Sequence, residues 1–135
     1  MALSHASCVR FEGKGILIFG PSGSGKSDLS LRLIDAGAVL ISDDYVNLKW
    51  DGKILVGFTA PNIEGLIEVR GIGPLKTEYQ SSSPIDLALE LTPREEIERL
   101  PEESFFNHDG GKIPFYKFDC FSVSAIAKIR MLLNR

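Results

Sequence analysis

The sequence has few cysteines, no long apolar run and no strong excess of charge of either sign. Its two cysteines, Cys8 and Cys120, stand far apart and lack metal-ligand spacing, so we interpret them as reduced thiols of a cytosolic protein. No apolar run approaches the roughly 18 residues of a transmembrane helix, and residues 1–10 lack the apolar core of a signal peptide. The formal net charge is −3, which favours neither nucleic acid nor anionic lipid as a partner. These features predict a cytoplasmic protein that binds neither.

Internal repeats, low-complexity tracts and interdomain linkers are also absent. The chain has 135 residues, of which 44% are hydrophobic and 24% charged, which is typical of globular proteins. A chain of this length buries roughly two-thirds of its unfolded surface and sustains its own core. We therefore predict a single domain over residues 1–135.

Hydrophobic periodicity predicts a mixture of strands and helices. Helices are predicted at 25–36, with Gly37 after the last turn, at 93–100 and at 122–133. Residues 81–84, rich in serine, are predicted to form a loop. Asp51-Gly52 is a hairpin signal between two of the predicted strands, which cover residues 9–12, 16–19, 38–41, 46–50, 53–58, 66–69, 85–91 and 113–118. The chain begins with a strand, a loop, a helix and a second strand, an order that predicts an α/β crossover. The hairpins that follow predict a mixed sheet.

One segment matches the phosphate-binding pattern G-x-x-x-x-G-K-[ST] at every fixed position. It lies between an apolar strand and a helix, the context that this P-loop requires, and consists of Gly20, Pro21, Ser22, Gly23, Ser24, Gly25, Lys26 and Ser27. Glycines let backbone N–H groups surround phosphate oxygens, and the helix N-terminus adds its positive dipole end. The pattern predicts that Lys26 contacts the β- and γ-phosphates of ATP and that the Ser27 hydroxyl ligates Mg²⁺. The motif predicts a P-loop domain but does not separate a kinase from an ATPase or a GTPase.

Paired carboxylates, Asp43 and Asp44, follow a predicted buried strand. The carboxyl ends of strands in an open α/β sheet meet at the ligand crevice, so both carboxylates are candidates for the active site. If this strand lies beside the P-loop strand, one carboxylate positions Mg²⁺ and the other accepts a proton from an attacking hydroxyl. The alternative is a solvated Asp-Asp turn.

Three stretches together resemble the catalytic domain of the HPr kinase/phosphorylase family, bacterial enzymes that phosphorylate a serine of the phosphocarrier HPr. The first is His5 followed by the P-loop strand and residues 20–27, and the second is Leu-Ile-Ser-Asp-Asp at 40–44. The third, Ile-Glu-Val-Arg-Gly-Ile-Gly at 67–73, discriminates best, because many enzymes share a P-loop. The resemblance spans most of residues 5–73 and implies a P-loop kinase domain with a mixed β-sheet and flanking helices.

The resemblance implies a role for each matching residue. Lys26 contacts the phosphates, while Ser27 and Glu68 hold Mg²⁺. Asp43 is the acid/base, beside Asp44, and His5 modulates it. The implied reaction is ATP-dependent phosphorylation of HPr, with reverse phosphorolysis as a further expectation. Full-length members are hexamers, which makes a homo-oligomer an open expectation here.

The residues themselves leave alternatives. A lone histidine such as His5 is usually a surface residue, and Glu68 and Arg70 fit an alternating strand with a surface ion pair. Arg70 either stabilises transition-state charge or pairs with a carboxylate. Two further functions stay open, an ATP-binding regulatory module and a small-molecule P-loop kinase.

The chain also departs from the family pattern and resembles a short form that consists of the C-terminal catalytic domain. The family's basic insertion after Gly73 is replaced by the short segment 74–84, in which only Lys76 is basic. Residues 107–112, with His108 and Lys112, stand in for a loop rich in glycine and arginine before the C-terminal helix.

Overall fold

A computed structural model describes residues 3–135. The helices are α1 (Lys26–Asp35) and α2 (Ala125–Leu133). The strands are β1 (Leu3–Ser4), β2 (Ala6–Phe11), β3 (Lys14–Phe19), β4 (Val39–Ser42), β5 (Val46–Trp50), β6 (Leu55–Thr59), β7 (Leu66–Val69), β8 (Gly73–Lys76), β9 (Ser82–Pro84), β10 (Leu87–Leu91), β11 (Phe105–His108) and β12 (Gly111–Phe118).

The central sheet has six strands in the order β11-β12-β10-β3-β2-β4. Strands β3, β10 and β12 are parallel to one another, whereas β2 pairs antiparallel with both β3 and β4. The carboxyl ends of β3, β10, β12 and β4 therefore lie at one edge of the sheet, where ligands bind in open α/β folds. The loops after these strands supply the candidate site.

The central sheet is covered on both faces. Ile16 and Ile18 of β3 pack with Leu29 of α1 and Ile129 of α2 in one core. Leu17 points to the opposite face, because side chains alternate along a strand, and packs in a second core with residues of the other sheet. That sheet has the order β1-β5-β6-β9, and β7 and β8 form a separate hairpin. Burial on both faces explains the continuous apolar run of β3.

Most sequence predictions of elements are confirmed, including the P-loop strand, the helix after it and the β5–β6 hairpin. The hairpin turns at Asp51-Gly52, and Asp51 Oδ1 accepts hydrogen bonds from the backbone N–H groups of Lys53 and Ile54. These bonds hold the pKa of Asp51 below its usual value. The predicted α/β class with a mixed sheet is confirmed as well.

Two predictions about local structure, for residues 93–100 and 81–84, are corrected, and the structure also answers two questions that the sequence left open. The acidic segment 93–100 forms only one 3₁₀ turn, Arg94–Glu96, with no buried residue, so a helix there would have no apolar face to pack. Residues 82–84 form edge strand β9, in which Ser83 is buried, rather than a loop. Strand β4 is not adjacent to the P-loop strand, because β2 lies between them. Residues 107–112 form the β11–β12 turn, at the end of the sheet opposite the P-loop, because β12 runs parallel to β3.

Within the described part of the chain, none of the helices is both long enough and apolar enough to span a membrane.

Candidate active site

The P-loop connects the end of β3 to the start of α1. Gly23 and Gly25 have φ values of 81° and 106°, which side-chain-bearing residues rarely adopt. Gly25 is also crowded, because an added Cβ would lie 3.0 Å from Cys120 Sγ. Two local constraints therefore require glycine at position 25. Because the glycines of the loop carry no side chains, phosphate oxygens can approach its backbone N–H groups.

Lys26 begins α1 and lies across the loop with 5% of its surface exposed. Its Nζ donates hydrogen bonds to the carbonyl oxygens of Gly20 at 2.7 Å and Pro21 at 3.2 Å. A buried ammonium needs such partners, since burying an unpaired charge is costly. These bonds hold the charge at the phosphate cradle.

A cleft of about 520 Å³ opens on one flank of the P-loop. Its walls come from the P-loop, the first turns of α1, Asp44 in the loop after β4 and the end of β7. Three predicted site residues line it together with Lys26 and Ser27, namely Asp44, Glu68 and Arg70. The structure thus brings together groups that lie more than 40 residues apart in the sequence.

Asp43 lies beneath this cleft and is 7% exposed. Its carboxylate accepts hydrogen bonds from Ser7 Oγ at 2.9 Å, from Ser27 Oγ at 2.9 and 3.0 Å, and from the Glu68 backbone N–H at 3.0 Å. It therefore ties β2, the P-loop helix and β7 together. In this position Asp43 orients the Ser27 hydroxyl and leaves little room for an incoming substrate.

Asp44 points into the cleft instead, and 47% of its side chain is exposed. Its Oδ1 lies 2.8 Å from His5 Nε2 and 3.7 Å from Lys26 Nζ. The residue has φ 67°, a left-handed conformation that aspartate and asparagine tolerate better than most residues. This backbone turn separates the two neighbouring carboxylates, one buried and one open to the cleft.

His5 is half-exposed and held by two contacts. Its ring stacks on Tyr45 with centroids 5.1 Å apart, and its Nε2 contacts Asp44 rather than Asp43. The histidine is therefore part of the site, but its direct partner is the second aspartate.

The end of β7 and Arg70, which follows it, supply a further wall of the cleft. Glu68 is exposed and its backbone N–H is bonded to Asp43, which fixes the strand against the end of β4. A Cβ added to Gly23 would lie 4.0 Å from Arg70 Nη2, so the guanidinium reaches the tip of the P-loop. A cation there is well placed for negative charge that develops on a phosphoryl group.

Sequence reasoning missed Ser7 and the segment around Cys120. Ser7 Oγ donates to Asp43 and accepts from the Asp44 backbone N–H at 3.0 Å, so one hydroxyl orders both aspartates. A serine inside an otherwise buried strand is a usable signal, because a buried hydroxyl needs partners. Cys120 Sγ donates to the Ser24 carbonyl oxygen at 3.6 Å, and burial raises the pKa of this thiol. No local pattern points to that contact across the chain.

Comparison with known proteins places this arrangement in a family. The family model for the HPr Serine kinase C-terminal domain matches residues 1–115. The chain belongs to this family. Its P-loop, aspartate pair and β7 all fall within the matched residues.

The curated relatives are longer than this chain. HPr kinase/phosphorylase of Caldicellulosiruptor bescii is 36% identical over 122 residues, which cover 82% of this chain and 39% of the relative. HPr kinase/phosphorylase of Mycoplasma mycoides is 37% identical over 102 residues, which cover 70% of this chain and 33% of the relative. The chain thus spans less than half the length of these relatives.

The fold matches a solved structure almost throughout. The structure of the HPr(Ser) kinase/phosphatase from Coxiella burnetii has a TM-score of 0.84 and is 23% identical to this chain. The match covers 99% of this chain and 93% of that one. It confirms the P-loop kinase-like fold with a mixed sheet.

Proposed function

We propose that this chain, as one cytoplasmic catalytic domain, transfers the γ-phosphoryl group of ATP to a serine hydroxyl of the phosphocarrier HPr. The observation that carries the proposal is the position of Asp44. Its half-exposed carboxylate faces the cleft 3.7 Å from the P-loop lysine, so a proton acceptor lies beside the phosphate cradle. A module that only binds nucleotide has no need of such an acceptor. HPr is proposed as substrate because the curated relatives carry its name.

The donor groups around Ser27 fit Mg²⁺. The Ser27 hydroxyl, the Glu68 carboxylate and the buried Asp43 carboxylate are all oxygen ligands, which this hard cation prefers. No cluster of three or more acidic, histidine or cysteine side chains forms a complete metal cage within residues 3–135. Magnesium in kinases instead uses one or two carboxylates together with substrate phosphates and water. Ser27 and Glu68 would hold Mg²⁺, which when bound would neutralise negative charge on the phosphates of ATP.

Asp44, rather than Asp43, is the acid/base in this proposal. Asp43 is buried and its oxygens already accept three donors, whereas half of the Asp44 side chain is open to the cleft. The serine oxygen attacks the γ-phosphorus, and its proton passes to the Asp44 carboxylate. The bond from the γ-phosphorus to the β–γ bridging oxygen breaks, and ADP leaves. His5, 2.8 Å from Asp44, orients the accepting carboxylate.

Two cations stabilise the charge of the transferring group. Lys26 lies within the loop, and Arg70 reaches across its tip from β7. Positioned cations of this kind account for much of the catalysis in phosphoryl transfer. Among residues 3–135, Arg70 forms no ion pair with a carboxylate, which leaves its charge available for the phosphoryl group.

The test is phosphorylation of purified HPr by the purified chain with Mg·ATP. The expected product is HPr with one acid-stable phosphoserine, detected by intact mass and located by fragmentation. Lys26→Ala serves as the inactive control. ATP binding without any transfer to HPr would instead identify a regulatory module, and transfer to a small hydroxyl compound in place of HPr would identify a small-molecule kinase.

A further inference from the structure

A second cleft, of about 900 Å³, opens on the opposite flank of the P-loop from the aspartates. It lies at the carboxyl ends of β10 and β12, which run parallel to the P-loop strand on the side away from β4. Ligands of open α/β sheets bind at these ends. Its charged side chains carry a net positive charge and comprise Arg94, Arg99, Lys117, Lys128, Glu98 and Asp119.

An aromatic ring stands where this cleft meets the P-loop. Phe121 is 73% exposed, and its ring atoms Cζ and Cε1 lie 3.3 and 3.7 Å from the place where a Cβ of Gly25 would be. Exposing most of a phenylalanine side chain costs hydrophobic stabilisation that burial would provide. The ring is thus open to solvent and lies directly beside the P-loop backbone.

The loop that carries Phe121 is held by one hydrogen bond within itself, one from α1 and one to the P-loop. The Phe121 N–H donates to Asp119 Oδ1 at 3.0 Å, and Arg32 Nη2 donates to the Cys120 carbonyl oxygen at 2.6 Å. Cys120 Sγ in turn donates to the Ser24 carbonyl oxygen at 3.6 Å. These bonds fix the position of the ring relative to the P-loop.

The geometry of a nucleotide decides what this ring contacts. Phosphates in the cradle are joined to the base by one ribose, so the base must lie on one flank of the P-loop. The flank with Asp44 and Glu68 holds the groups for phosphoryl transfer and the incoming hydroxyl. The other flank offers an exposed aromatic ring, and nucleobases stack on such rings.

We propose that Phe121 is the stacking platform for the purine base of the bound nucleotide, with the cleft after β10 and β12 as the base and ribose subsite. The inference rests on the proposed function, since it requires that the P-loop hold the phosphates of ATP. It assigns a specificity role to a residue 96 positions after Gly25 in the chain. The base contributes to affinity through this ring, whereas the phosphates do not contact it.

The test compares ATP with inorganic triphosphate, which lacks a base, by calorimetric titration in the presence of Mg²⁺. Phe121→Ala is expected to weaken ATP binding about 5- to 150-fold, the range that stacking on an aromatic side chain confers. Triphosphate binding should not change, and Phe121→Trp should retain ATP affinity. Met131→Ala is the matched control, because Met131 is equally exposed at 74% but lies on α2 outside the cleft. Thermal melts verify that each variant is folded.

Each other outcome overturns the inference in a recognisable way. Unchanged ATP affinity in Phe121→Ala shows that the base lies elsewhere. Equal weakening of ATP and triphosphate shows that Phe121 only supports the P-loop. A rise confined to the KM for HPr shows that the cleft docks the protein substrate. If the unmodified chain binds neither ATP nor triphosphate, the proposed function fails first and the inference fails with it.

Discussion

The two adjacent aspartates allow a sharp test, because Asp43→Asn and Asp44→Asn make the same chemical change at neighbouring positions in different surroundings. Asparagine at position 44 keeps the shape of the side chain and tolerates the left-handed backbone at φ 67°, so the turn survives. The change removes the proton acceptor and two contacts of a half-exposed carboxylate, with His5 and Lys26. Exposed ion pairs contribute about 0–1 kcal/mol, so the free energy of unfolding should fall by less than about 1 kcal/mol.

For Asp44→Asn the main effect is on turnover. General-base assistance is worth about 10²–10⁴-fold in rate, and we expect a loss in that range. ATP affinity should change little, because we expect the backbone of residues 20–27 and Lys26 to make the phosphate contacts.

Asp43→Asn should behave differently. The buried carboxylate accepts hydrogen bonds from Ser7, Ser27 and the Glu68 N–H. The NH₂ group of an asparagine amide is itself a donor, so it would face some of these donors without forming a hydrogen bond. Leaving a buried polar group badly paired costs about 1–3 kcal/mol, so the free energy of unfolding should fall by that amount. Since Ser27 loses its orienting acceptor, Mg·ATP affinity and turnover should fall together.

The assays are single-turnover transfer to HPr, nucleotide titration and urea unfolding on the same preparations. The reasoning is refuted if Asp44→Asn retains the unmodified rate while Asp43→Asn loses turnover with ATP affinity and stability intact. In that case Asp43 is the base and the buried position opens during turnover. If neither variant loses activity, the base is not in this pair.

Four further predictions follow from the geometry. Lys26→Ala should abolish phosphoryl transfer and leave the far-ultraviolet circular dichroism spectrum unchanged, and activity at the unmodified rate would contradict the P-loop assignment. If the reverse reaction needs the longer basic segments of the family, it should be far slower here than the forward one, because segment 74–84 is short and carries one basic residue. The reverse rate is measured as pyrophosphate release from phosphoserine-HPr and phosphate, and comparable rates would show that the longer basic segments are dispensable. Burial raises the pKa of the Cys8 thiol, so iodoacetamide should label it at pH 8 only after unfolding in urea, as peptide mass mapping would reveal. The folded-state pKa of Asp51 is lowered, so its contribution to stability is present above the unfolded pKa and is lost as pH falls through the folded value; Asp51→Ala should therefore lower the melting temperature at pH 7 and have no effect well below that value.

Local sequence patterns were sufficient to predict much of the secondary structure of this protein. The P-loop, its flanking strand and helix and the turn at Asp51-Gly52 were all predicted, because short-range sterics and periodicity determine them. Segment 93–100 was predicted wrongly as a helix, since its charged residues favour no structure once packing partners are lacking. Strand β9 was read as a loop because it forms only by pairing with the edge of β6.

By itself, the sequence determined where the P-loop lies and which acidic residues are candidates to accompany it. Only the tertiary structure decided that Asp43 is buried against Ser27 while Asp44 opens to the cleft beside His5. The left-handed backbone at Asp44 points the two carboxylates in different directions. Asp43 is buried only because Ser7 of β2 and Glu68 of β7, which are distant in the sequence, supply its hydrogen-bond donors. The position of Phe121 over Gly25 is likewise a product of packing between segments that no local period relates. Contacts of this kind arise from how whole elements bury their apolar faces, which a linear pattern does not specify.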